Sequence, residues 1–128
     1  MSTANLAEKK MLLVEDNKTN QMVAKIMLKK IGCQADVAEN GQEAIDKASQ
    51  TDYDFIFMDV HMPLVDGYQA TQTIRQYEQS QAKKASIIIA MTAGASEDIE
   101  QCMAVGMNDQ LRKPFKKEDL EEVLLKWV

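Results

Sequence analysis

From Met11 to the C-terminus, short apolar runs alternate with longer segments whose apolar residues recur at three- and four-residue spacing. This alternation predicts repeated strand–helix units around a parallel sheet. Five strands are expected: Met11–Val14, Gln34–Ala38, Asp54–Met58, Ile87–Met91 and Asp109–Arg112. Ile87–Met91 is the most apolar and reads as the central strand, whereas Gln34–Ala38 is mixed and reads as more exposed. Thr19–Ile31 places Met22, Val23, Ile26, Met27 and Lys30 at helical spacing and stops at Gly32. Asn40 reads as the N-cap of a helix through Ala44, Ile45 and Ala48. Val65-Asp66-Gly67 opens a helix containing Tyr68, Ala70, Thr71, Ile74 and Tyr77. Ser96 caps a helix with Ile99, Met103 and Val105, ended by Gly106. Lys116–Val128 is the last helix, with Leu120, Val123, Leu124 and Trp127 on one face. Residues 1–9 are small and polar and read as a loosely ordered lead-in; residues 10–128 form one domain.

The polar residues that end these runs carry the chemistry. The first strand runs into Glu15-Asp16, the third into Asp59, the fourth into Thr92 and the fifth into Lys113-Pro114. If the strands are parallel neighbours, these residues meet at the carboxyl edge of the sheet, where open α/β folds bind ligands. Three carboxylates against one ammonium leave an excess of two negative charges, so one acid must protonate or a cation must bind. Oxygen-only ligands with incomplete protein coordination suit Mg²⁺, with Mn²⁺ as the alternative ion. A carboxylate beside such an ion can attack phosphorus and form an aspartyl phosphate.

Composition narrows the classes. A formal net charge of −5, with lysines in four scattered pairs, excludes the basic stripe of a nucleic-acid binder. Cys33 and Cys102 lack metal or redox-motif spacing. His61 is the only histidine and, with no second histidine or nearby thiol, makes a poor zinc ligand. No apolar run reaches the ~18 residues of a membrane span, and the N-terminus lacks a signal-peptide centre. A cytoplasmic domain, or the cytoplasmic part of a membrane-bound protein, is expected.

The blocks Val14-Glu15-Asp16-Asn17, Met58 to Gly67, Met91-Thr92-Ala93 and Lys113-Pro114-Phe115 occur in order along the chain. Together they resemble the signature of the response-regulator receiver domain of two-component signalling. The stretch Met62–Thr71 followed by Ile74-Arg75, and Gly106-Met107-Asn108-Asp109, are most similar to receivers of hybrid sensor histidine kinases. The resemblance implies a flavodoxin-like, doubly wound five-stranded parallel sheet of order 2-1-3-4-5 with five helices. It implies that Asp59 accepts a phosphoryl group from a phosphohistidine. Asp16 and Asp59 would ligate Mg²⁺ directly, Glu15 through water, and His61 through its backbone carbonyl. Thr92 would move toward the phosphoryl group and Lys113 would pair with it, with a cis bond preceding Pro114. His61 and Gly94 would flank the path of attacking water and set the phosphate lifetime. Such a domain catalyses its own phosphotransfer and slow autodephosphorylation.

One position departs from the pattern. Receivers usually carry an aromatic residue three positions before the lysine, and here that residue is Gln110. Output would then travel through the Ala93–Ser96 segment, or the domain would serve mainly as a phosphoryl carrier. The implied partner is a histidine kinase dimerisation domain or a histidine phosphotransfer protein, with Met22 and Val23 beside Asn20 as an apolar docking patch. The domain would be a monomer or weak dimer with no nucleic-acid or membrane contact. It would be the receiver part of a hybrid histidine kinase, or else a free-standing regulator or phosphorelay shuttle. An aspartyl-phosphate hydrolase would carry a second aspartate where His61 stands, and a flavin module would need a Ser/Thr/Gly-rich loop where Glu15-Asp16-Asn17-Lys18 stands.

Overall fold

A computed structural model describes residues 4–60, 62, 65–93 and 96–128. The strands are β1 (Met11–Val14), β2 (Ala35–Ala38), β3 (Phe55–Asp59), β4 (Ile87–Thr92) and β5 (Asp109–Arg112). All neighbours pair in parallel, in the order β2-β1-β3-β4-β5. The crossover helices are α2 (Lys18–Ile31), α3 (Gly41–Gln50), α4 (Gly67–Ser80) and α5 (Ser96–Val105), and α6 (Lys117–Trp127) closes the fold. This is the doubly wound, flavodoxin-like arrangement, with β3 rather than β4 at its middle and β4 beside it. The edge strands β2 and β5 are both mixed in burial, each with one exposed and one buried residue, whereas β1 and β3 are buried throughout.

Two-residue alternation along the strands builds two cores. Leu12, Val14, Ile56, Met58, Ile88 and Ala90 pack with α3, α4 and α5 through Ala44, Ala48, Ile74 and Cys102. Met11, Leu13, Phe55, Phe57, Ile89 and Met91 pack on the other face with α2 and α6 through Ala24, Leu28, Leu120 and Leu124. Burial on both faces explains why β1 and β3 are apolar throughout rather than alternating.

Two further sequence expectations change. The lead-in contains a helical turn, α1 (Ala4–Ala7), because Leu6 finds a fully buried place in the core shared with Leu28 and Cys33. In α2 the buried stripe is Ala24, Leu28 and Ile31, and Met22, Val23 and Ile26 face solvent at 63%, 45% and 49% exposure.

Helix starts follow the side chains that satisfy their free amides. Asn17 Oδ1 accepts from Asn20 N at 3.0 Å, Asn40 Oδ1 from Glu43 N at 2.9 Å, and Asp66 Oδ1 from Gln69 N at 2.9 Å. Gly32 ends α2 in the left-handed region (φ 101°), with the amides of Gly32 and Cys33 turned back to Lys29 O and Leu28 O.

Candidate functional site

Strand register brings the predicted residues to one edge. Val14 pairs with Met58, so Glu15 falls level with Asp59; Asp59 pairs with Met91, one residue before Thr92. Thr92 pairs with Arg112, so Lys113 lies a step beyond Thr92 and two beyond the level of Asp59. A lysine stem is long enough to reach back over that gap. Its Nζ lies 3.0 Å from Glu15 Oε1 and 3.2 Å from Asp59 Oδ2. The residues open onto a cleft of about 650 Å³ between the sheet edge and the start of α2.

The backbone fixes these positions. Glu15 N donates to Ala38 O, and Lys113 N donates to Thr92 O at 2.6 Å, tying the last two strands together beside the hydroxyl. The Lys113–Pro114 bond is cis, as the resemblance implies. Gln21 on α2 donates through Nε2 to Glu15 O at 2.6 Å, and Asn17 N donates to Glu15 Oε2 at 3.2 Å. Gly67, the first residue of α4, lies against Asp59 itself: a Cβ there would stand 2.3 Å from Asp59 O and 2.8 Å from Val60 Cα. The sequence marks Gly67 only as a helix opener and gives no sign of Gln21, because both contacts are made across a strand-to-helix turn whose path periodicity does not report.

Burial sorts the charges. Glu15 (2% exposed) and Asp59 (4%) are enclosed, whereas Asp16 stands at the rim. Partial desolvation, and then the hydrogen bond and charge of Glu15, raise the Asp16 carboxyl above the ordinary aspartate range. Burial pulls the Lys113 ammonium down, but hydrogen bonds and charge from Glu15 and Asp59 outweigh it and hold the pKa up. Lys113 is thus a fixed cation shared by two buried anions. Asp16 stands at the rim, where the charge of Lys113 lowers its pKa by less than burial and Glu15 raise it. Ligand oxygens of Glu15, Asp16 and Asp59 lie within 4.8 Å of one another. A small all-oxygen cluster with this charge excess fits a hard divalent cation.

Thr92, at 1% exposure, completes the set on the next strand. Gln110 is half-buried on β5, its backbone N–H donating to Asp109 Oδ1 at 2.8 Å. His61 and Gly94 lie outside the described residues. Among the described residues, no helix is long and apolar enough to cross a membrane.

Comparisons with known proteins agree with this arrangement. The chain is 43% identical over 120 residues to hybrid signal transduction histidine kinase B of Dictyostelium discoideum, covering 87% of this chain. It spans only 6% of that kinase's length. The receiver domain of sensor histidine kinase PA1611 from Pseudomonas aeruginosa, solved with magnesium coordinated in its active-site cleft, has a TM-score of 0.83 and 42% identity. That match covers 93% of this chain and 96% of the other. The receiver domain of the Saccharomyces cerevisiae response regulator Ssk1, co-crystallised with the histidine phosphotransfer protein Ypd1, has a TM-score of 0.86 and 31% identity, covering 93% and 88%. The family model of the response regulator receiver domain matches residues 11–125, which contain the whole acidic edge, Thr92 and Lys113. This chain belongs to that receiver family of two-component signalling.

Proposed function

We propose that Asp59 is the phosphoacceptor and that a phosphohistidine is the donor. The supporting observation is the placement of its carboxylate: nearly buried at a strand end, 3.2 Å from the Lys113 ammonium and within one acid cluster with Glu15 and Asp16. A carboxylate oxygen of Asp59 attacks phosphorus while the phosphorus–nitrogen bond breaks. The departing imidazole keeps the electron pair, and the product is an acyl phosphate on Asp59. Glu15, Asp16 and Asp59 would hold Mg²⁺, which when bound offsets charge on the phosphoryl oxygens. Lys113 neutralises a phosphoryl oxygen from the β5 side and the Thr92 hydroxyl donates to another. The roles given to the His61 carbonyl in metal binding, and to His61 and Gly94 in phosphate lifetime, belong to the same reading.

The partner would be a histidine phosphotransfer protein or a kinase dimerisation domain. The exposed Met22, Val23 and Ile26 on α2, beside the cleft, are the surface for its histidine-bearing helix. Similarity to receivers within long hybrid kinases supports the same place for this domain in a larger protein.

Intact mass after incubation with phosphoramidate tests the reading. A single phosphoryl adduct is expected with Mg²⁺, and none with chelator or in Asp59→Asn. Labelling of Asp59→Asn at the native rate would overturn it.

A further inference from the structure

The start of α4 and the start of α5 are joined in the interior by a polar contact that the phosphotransfer chemistry does not use. Tyr68 Oη donates to Asp98 Oδ1 at 2.7 Å, with Tyr68 7% and Asp98 8% exposed. Burial, followed by the hydrogen bond to Asp98, pushes the Tyr68 hydroxyl far above the usual phenol range, so it stays a donor. Cys102, one turn beyond Asp98, is buried in the same core as Tyr68.

Each end of this contact leads to one half of the phosphoacceptor site. Tyr68 follows Gly67, which sits so close to the acceptor strand that an added Cβ would meet Asp59 O and Val60 Cα. Gly67 N donates to Val60 O at 3.3 Å, and Thr71 Oγ1 donates to Gly67 O at 2.8 Å, so the first turn of α4 is tied to the end of the acceptor strand. Asp98 lies on the first turn of α5, six residues after Thr92 at the end of β4. On the proposed reading, a shift of Thr92 relative to Asp59 would be felt across the Tyr68–Asp98 bond. The next residues on α5, Ile99 and Met103, are exposed at 41% and 72%, so displacement of Asp98 also moves an apolar outer surface. At the position usual for an aromatic relay stands the half-buried Gln110.

We propose that the Tyr68–Asp98 hydrogen bond couples the phosphorylation state of Asp59 to the position of α5, with Tyr68 as a positioning residue. The proposal rests on Asp59 being the phosphoacceptor. A buried bond to a carboxylate suits such a role, since it is directional and costly to leave unmade. Coupling of this kind is a difference between two states, and it must appear as one.

The experiment is hydrogen-exchange mass spectrometry of the α5 peptide in the native protein, Tyr68→Phe, Asp98→Ala and Asp98→Asn. Each is measured before and after phosphorylation by phosphoramidate in Mg²⁺, with the adduct verified by intact mass. In the native protein, phosphorylation should change α5 exchange. That change should shrink roughly fivefold or more, the low end of usual allosteric coupling, in Tyr68→Phe and Asp98→Ala. Asp98→Asn keeps an acceptor oxygen and should retain the native response. If Tyr68→Phe shifts α5 exchange equally with and without the adduct, the bond is structural only and the proposal falls. An adduct on the native protein with no α5 change overturns the coupling but leaves the phosphoacceptor reading standing. Should Asp59→Asn label like the native protein, the phosphoacceptor reading fails and takes the coupling with it.

Discussion

Gly32 and Ala82 both occupy the left-handed region of backbone space, at φ 101° and 52°, but only Gly32 does so without a side chain. Nothing lies within 4 Å of a Cβ built on Gly32, so the cost of Gly32→Ala is conformational alone, about 1 kcal/mol. Ala82→Gly should act in reverse, stabilising by roughly 0.5 kcal/mol once glycine's extra unfolded-state freedom is deducted. Urea unfolding of the two variants measures both, and the same sign for both would refute the account. The sequence shows one of these sites and hides the other. A glycine after a helical stretch is a stop signal, whereas Gln81-Ala82-Lys83-Lys84 contains no turn residue. The chain turns there because Lys83 N reaches Glu78 O while Lys83 Nζ is held by Asp52 at 2.6 Å and by Ala48 O. The acids, the threonine and the lysine of the site were legible for the opposite reason. Glu15-Asp16, Asp59 and Thr92 stand at the ends of apolar runs, where strand register places them, and Lys113 ends the mixed run Asp109–Arg112 and is marked by the Pro114 that follows.

Elements expose a second limit of periodicity. Helix α2 has two apolar stripes, and Met22, Val23 and Ile26 make the outer one. The stripe that packs is Ala24, Leu28 and Ile31. Spacing marks both equally; only the approach of α2 to the sheet selects between them. Helix α4 shows how tightly an element can be seated. Since the atoms facing a Cβ at Gly67 are backbone, they cannot rotate away, and Gly67→Ala should cost roughly 2–3 kcal/mol by overpacking. It should also slow adduct formation, because relief requires moving Asp59 or Val60. Chemical denaturation together with the labelling rate checks this, and an unchanged midpoint would show that α4 shifts freely.

The molecule as a whole is closed by its last helix. Asp109 on β5 accepts from Trp127 Nε1 at 2.8 Å and faces Lys126 Nζ at 3.2 Å. Burial raises the Asp109 carboxyl, yet hydrogen bonds from Trp127, the Gln110 amide and Lys126 outweigh it and hold the pKa below its ordinary value of 3.8. A folded pKa below the unfolded one means that this stabilisation is complete above that value and is lost as pH falls through the folded pKa. Asp109→Asn should therefore be less stable than the native protein near neutrality, with the gap narrowing in acid. Trp127 is the only tryptophan, so its fluorescence reports unfolding of this very contact. A gap that stays constant from neutral pH into acid would show that the charge contributes nothing.

The two cores lie on opposite sides of one sheet, and so do the two exposed apolar stripes, on α2 and on α5. A protein seated on Met22 and Ile26 leaves Met103 uncovered. On the reading proposed above, the phosphodonor would dock on one face of the sheet while the apolar surface of α5 stays open on the other.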